Sequence, residues 1–224
     1  MSGFEVRNVL GEVIVSDTMK HLGIILEQDI TTIDGAVVGT GTTMSNVVMA
    51  PSFIKTKYLG YPSLRNTLPD GTITLYKPIE GGEFAGQYWY GENQGKLVFL
   101  GEDYQKVSGY LDVYDEQGEL LWSANSAKNV PRIVKAYQLD AETLIAGTTV
   151  DVGLNPYIIM NSFPSLFAPG PMGTAVRGAL FGRYENGKLQ LQFKAWGRGG
   201  EIHDNFKAFL NGGTLPVYIA SFAS

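Results

Sequence analysis

The chain contains no cysteine. Disulfides, thiolate nucleophiles and cysteine-held metals are excluded from the start. Histidine is nearly as scarce: His21 and His203 are the only two, and they lack the close spacing that brings two imidazoles onto one metal ion. Charged residues make up 17% of the chain, where ordinary soluble proteins carry roughly 25%. The 17 basic residues are outnumbered by 22 acids and form no cluster longer than Lys55-Thr56-Lys57. A nucleic-acid binder needs a basic face to displace counterions from phosphates, and none is visible. The same shortage argues against anionic membrane surfaces, and apolar runs of only a few residues argue against membrane insertion. Glu5, Arg7 and Asn8 break up the N-terminal stretch, so no signal peptide is expected, and the lack of cysteine suits folding in a reducing cytoplasm.

Patterns that carry catalysis are missing as well. There is no G-x-S-x-G nucleophile elbow, and Gly39-Thr40-Gly41 lacks the third glycine of a dinucleotide fingerprint. His203-Asp204 has the residue types of a base and its orienter, but neighbours on a strand face opposite sides. The pair reads as a surface histidine ahead of a helix N-cap. Asp112, Asp115, Glu116 and Glu119 fail the calcium-loop pattern, since Tyr114 takes its third position and Gln117 the place of its obligatory glycine. They read as solvated turn acids, and no spacing singles out a carboxylate pair for glycoside hydrolysis. The sequence therefore leads us to expect no catalytic residue, no metal and no cofactor.

What is plentiful is glycine, at 28 of 224 residues against a usual value of roughly 7%. Without a G-x-y period, these glycines mark turns and bulges between short strands. Asp34-Gly35, Asp70-Gly71 and Asn186-Gly187 are turn dipeptides beside apolar runs, and such pairs suit the positive φ angles of hairpin turns. Phe4 and Val6 face Val13 and Val15 across a further turn, Asn8-Val9-Leu10-Gly11. One short helix is predicted, capped by Asp204, with Phe206, Phe209 and Leu210 on one face and a stop at Gly212. The fold class is all-β and sandwich-like.

Residues 4–16 match residues 111–123 at an offset of 107: strand, Asn or Asp, Gly-Glu turn, strand, Ser. Val47-Val48-Met49 matches Ile158-Ile159-Met160 at 111, and Asp70-Gly71 matches Asn186-Gly187 at 116. Two readings stay open. Residues 1–105 and 106–224 are two tandem related β domains, or the chain is one continuous β domain whose hairpins look alike because turns need glycine and strands need Val, Ile and Leu.

Two segments are candidates for contact with a partner. Tyr88, Trp89 and Tyr90 are consecutive, and the strand expected to pair with them, Lys96 to Leu100, is apolar on both faces. They read either as a central strand of a packed sandwich or as a platform for a sugar or protein. Near the C-terminus, Val217 and Ile219 alternate with Tyr218 and Phe222 without a charge to discourage edge pairing. This strand is expected to be central in its own sheet or to be an assembly strand covered by another chain, as in a homo-oligomer.

The stretch Gly3-Phe4-Glu5-Val6-Arg7-Asn8-Val9-Leu10-Gly11-Glu12-Val13-Ile14-Val15-Ser16-Asp17 resembles the start of a group of tailed-bacteriophage minor structural proteins. So does Leu111-Asp112-Val113-Tyr114-Asp115-Glu116-Gln117-Gly118-Glu119-Leu120-Leu121-Trp122-Ser123. The resemblance implies a virion component of the tail, baseplate or fibre region. Its partners would be other virion proteins, with a host surface glycan or receptor where attachment is involved. It brings no catalytic residues. A carbohydrate- or receptor-binding β-sandwich module is the alternative, and a polysaccharide hydrolase a third.

Overall fold

The structure, a computed structural model, describes residues 5–7, 13–16, 22–30, 37–38, 58–60, 69–87, 89–91, 93–169, 175–196 and 199–222. His21, Tyr88, Asp34-Gly35, Gly39-Thr40-Gly41, Val47-Val48-Met49, Lys55-Thr56-Lys57 and the turn at 8–11 lie outside them.

Alternating apolar residues build two large antiparallel sheets. The first contains, in spatial order, β12 (Arg132–Asp140), β18 (Thr214–Ser221), β14 (Tyr157–Ile159), β6 (Ile73–Pro78), β9 (Gly95–Gly101) and β3 (Gly23–Asp29). The second runs β13 (Thr148–Asp151), β17 (Lys188–Trp196), β16 (Ala175–Glu185), β7 (Glu83–Ala85), β8 (Trp89–Gly91), β5 (Tyr58–Gly60) and β4 (Val37–Val38), with β15 (Ser165–Pro169) also on β16. Tyr76, Leu97, Phe99, Ile158, Val217 and Ile219 of the first sheet share one buried core with Phe84, Tyr90, Leu180, Leu189, Leu191 and Phe193 of the second. The protein is an all-β, sandwich-like fold. Leu75, Val98 and Leu100 point to the other face of the first sheet and form a second, smaller cluster with Ile24, Ile73, Tyr157, Ile159 and Phe222. That explains why residues 97–100 are apolar on both faces.

Two hairpins stand outside both sheets: β1 (Glu5–Arg7) with β2 (Val13–Ser16), and β10 (Asp112–Tyr114) with β11 (Leu120–Ser123). Their registers coincide residue for residue. Glu5 faces Ser16, Val6 faces Val15 and Arg7 faces Val13; Asp112 faces Ser123, Val113 faces Trp122 and Tyr114 faces Leu120, each 107 positions later and with the same bulge.

The correspondence extends through both sheets. In β3·β9, Ile24 faces Leu100 and Leu26 faces Phe99 across a bulge; in β12·β18, Ile133 faces Ala220 and Lys135 faces Ile219 across a bulge at the matching place. Here the offsets are 109 for the outer strand and 120 for the inner one. Strand order in the first sheet is therefore palindromic, with β3, β9 and β6 mirrored by β12, β18 and β14. The mirror passes through the Leu75–Ile159 pair. In the second sheet the order β5, β8, β7 is mirrored by β13, β17, β16, and the two sets meet where β7 pairs with β16. The 105/106 division falls between β9 and β10, and each side of it supplies strands to both sheets.

Gly182 is glycine for a spatial reason: a Cβ built there would overlap the buried ring of Phe84. Gly182→Ala is expected to cost about 1–3 kcal/mol through overpacking, read as a lower midpoint in urea unfolding.

Three expectations need correction. First, β8 and β9 are not hairpin partners: β8 pairs with β5 and β7, whereas β9 pairs with β3 and β6. The segment 91–95 is a corner between sheets. Gln94 pins it, its Oε1 accepting from the Glu83 amide at 2.9 Å and its carbonyl accepting from the Tyr76 hydroxyl at 2.8 Å. Second, the helix begins earlier. Besides the short α1 (Ala141–Ala146), which sequence reading missed, α2 spans Gly199–Leu210 and Asp204 lies inside it. Its buried stripe is Ile202 and Phe206, with Phe206 stacked on Phe193 at 4.0 Å, while Phe209 is exposed. The Gly-Gly opening hid its first turn, because glycine is a weak helix former. Third, Asp70-Gly71 leads into β6 while Asn186-Gly187 joins β16 to β17, so their match at 116 joins elements that are not equivalent. Asn186 (φ 51) and Gly187 (φ 73) do form the expected hairpin turn.

Candidate functional site

The aromatic strand is mostly core. Tyr90 is buried, its hydroxyl donates to the Gln87 carbonyl at 2.8 Å, and its ring lies 5.0 Å from that of Tyr76. It offers no face to a sugar. Trp89 is half-buried and, as Tyr90's neighbour on the strand, lies on the opposite face of β8. Of the expected platform, Trp89 alone is described with any exposure.

The C-terminal strand meets the first of its two alternatives. β18 lies between β12 and β14, so both of its edges are hydrogen-bonded within the chain. Val217 and Ile219 are buried, Tyr218 is half-buried, and Phe222 packs edge-on against Tyr157 at 4.7 Å. None of the four is left for an assembly edge.

His203 sits within α2 beside Phe193, at 6.1 Å between rings, and its Nε2 is buried without a hydrogen-bond partner. Burial, then the nearby Lys194 and Lys207, hold its pKa below the ordinary imidazole value. His203 and Asp204 are therefore helix neighbours, not strand neighbours, and Asp204 points to solvent. Among the described residues no group of three or more His, Asp or Glu is placed to hold a metal ion. Among them, too, no helix is long and apolar enough to cross a membrane.

The acids of β10·β11 do more than sit in solvent. Asp115 accepts from the amides of Gln117 at 2.9 Å and Glu119 at 2.7 Å, closing a turn in which Gly118 has φ 81. Asp112 accepts from the Ser108 hydroxyl at 2.5 Å, the Gly109 amide at 2.9 Å and the Tyr114 hydroxyl at 3.1 Å. Hydrogen bonds, from Ser108 first and then Ser123, hold its carboxyl down to about 2. A carboxyl depressed on folding contributes stability above its ordinary value near 3.8 and loses it as pH falls towards 2. The hairpin is expected to stay ordered at pH 5 and above, and to loosen between about pH 4 and pH 2. Amide exchange at residues 109–124 checks this, and an Asp112→Asn variant should show a flat profile there.

This braced hairpin displays apolar side chains. Tyr110 is 88% exposed, and Val107, Leu111 and Tyr114 are about half exposed. A two-stranded sheet has too few strands to bury such residues by itself. Sequence reading passed over Val107, Tyr110 and Leu111 because they precede the strand instead of alternating within it. Their signal was an apolar run beside a four-acid turn.

A second feature lies between the halves. An open cavity of about 420 Å³ is lined by Lys77, Ile79, Glu80, Lys96, Leu154 and Tyr184, among others. Lys77 and Lys96 face each other directly across β6·β9, an unfavourable like-charge pairing. The Tyr157 ring 4.9 Å from Lys77 and Asp29 at 3.6 Å from Lys96 ease it in part. Ile79 and Leu154 stand exposed on the rim, and Glu80 accepts from the Asn186 amide at 2.8 Å.

Comparison with known proteins returned no match among curated proteins and none among solved structures. The chain belongs to the family described as a domain of unknown function, DUF8377, whose model matches residues 1–224.

Proposed function

We propose that the protein is a structural component of a tailed-phage virion, in the tail, baseplate or fibre region, and that it acts by non-covalent assembly with other virion proteins. The observation that carries this reading is the pair of hairpins outside the two sheets, which share one register 107 residues apart. These are also the segments that resemble phage minor structural proteins. One of them exposes Tyr110, Leu111 and Tyr114, residue types favoured at protein contacts. The reading needs no catalytic group, metal or cofactor. The sugar-platform alternative is weaker, because Tyr90 is buried and Trp89 half-buried.

In vitro complementation tests it. Particles produced without the chain should be non-infectious, and adding the purified protein to that lysate should restore plaques. Unchanged infectivity in the absence of the chain would refute the reading.

A further inference from the structure

We propose that Tyr110, Leu111 and Tyr114, flanking Asp112 on the β10·β11 hairpin, form a docking surface for a basic segment of another protein, whose arginine or lysine side chains they receive. This deepens the assembly reading above and rests on it. The apolar part of the surface is open: Tyr110 is 88% exposed, and Leu111 and Tyr114 are about half exposed. Charge selects the kind of partner. Residues 107–126 carry four acids, Asp112, Asp115, Glu116 and Glu119, and no Lys, Arg or His. Asp112 stands two residues from each tyrosine, and the Tyr114 hydroxyl donates to it at 3.1 Å. The Ser108 hydroxyl and the Gly109 amide also donate to it. All three donors are neutral, so they hold the carboxylate in place without cancelling its charge. Side chains of a basic segment meet there a carboxylate and two tyrosine rings, which attract cations, while their methylenes cover Leu111. The surface is also set before contact. The bonds from Ser108 and Gly109 to Asp112 close the turn that carries Tyr110 and Leu111, and the Leu111 carbonyl accepts from the Ala124 amide at 2.9 Å. Little ordering is left for docking to cost.

A second copy of this chain is a poor occupant. The chain carries a net charge of −5, so copies repel one another, and Lys96, Lys135, Arg183 and Lys207 are already paired with acids of their own chain. The first hairpin differs at the deciding positions. At 107 residues before Tyr110, Asp112 and Tyr114 stand Gly3, Glu5 and Arg7. That sequence keeps the acid, lacks both rings and carries a base, so the docking surface belongs to the second hairpin.

Titrating the full chain with a short blocked glycine–arginine peptide, followed by amide chemical shifts, provides the test. Shifts are expected at residues 108–115, and none with the citrulline counterpart, which keeps the shape and loses the charge. Tyr110→Ser with Tyr114→Ser should weaken binding about four- to twenty-five-fold, at roughly two- to fivefold per exposed ring. Tyr110→Phe with Tyr114→Phe keeps both rings and should retain the affinity. Asp112→Asn should weaken binding as well. Glu116→Gln with Glu119→Gln, at the turn end of the hairpin, should change it by no more than about twofold. Absent shifts at these residues, equal binding of the citrulline peptide, or a Glu116 and Glu119 effect as large as that of both rings would overturn docking at this face. Self-association of the wild type that the serine variant abolishes would overturn it too. None of these results would touch the virion reading, which complementation decides separately, and failed complementation would leave the peptide result standing.

Discussion

Replacing Glu83 with alanine should destabilise the protein by about 3–5 kcal/mol, since it leaves a buried guanidinium without its main counter-charge. The Glu83 side chain is fully buried and bonds to Arg183, which is itself 11% exposed. The two residues face each other across β7·β16, where the strands of residues 1–105 meet those of 106–224 in the second sheet. Glu185 lies 3.5 Å from the same guanidinium but is about half exposed, and surface partners of that kind contribute about 0–1 kcal/mol. A Glu185→Gln control should therefore barely move the urea midpoint, whereas Glu83→Ala should move it strongly. Replacing both partners with well-packed apolar residues should recover most of the loss, because the cost lies in the unpaired charge. An alanine variant as stable as wild type would show that the pair does not hold this joint.

Residues 1–105 and 106–224, produced separately, should each fail to fold, and produced together they should recover the native sheets. Each half alone would expose β6 or β14 in the first sheet and β7 or β16 in the second, since these pairs join across the Leu75–Ile159 and Phe84–Gly182 contacts. Tyr76, Phe84 and Leu97 from one half pack in the same cluster as Ile158, Leu180 and Phe193 from the other. Losing burial at about 1.5–3 kcal/mol per large apolar side chain quickly exceeds a net stability of roughly 5–15 kcal/mol. Dispersed amide proton spectra from the mixture, and collapsed spectra from each half alone, are the expected result. A half that gives a dispersed spectrum by itself would mean the two segments are independent domains.

Much of this architecture is legible in the sequence. Strand alternation and turn glycines suffice for the fold class, and the offset of 107 marks a pair of hairpins whose registers coincide. The equivalent positions elsewhere are hidden, because the spacing of equivalent strands swings from 84 between Leu75 and Ile159 to 120 between Leu100 and Ala220. Insertions such as α1 and α2, which among the described residues stand after residue 140, break any constant offset. Strand pairing is hidden for a different reason. Residues 91–95 have the chemistry of a hairpin turn, yet Gln94 ties them into a corner through bonds to Glu83 and Tyr76. No local rule reads such a tertiary bond. The aromatic run left two readings open for a related reason: a strand pattern shows which residues share a face but not which face is covered. The surface that remains open, around Tyr110 and Leu111, carries no periodicity.

The composition of phage particles tests most directly the proposal that this protein is a built-in part of one. On that proposal, gradient-purified virions of a phage carrying the gene for this chain should contain it, by quantitative mass spectrometry, at a fixed number of copies relative to known tail proteins. Its absence from the particles, with the protein recovered only from the soluble lysate, would contradict the account.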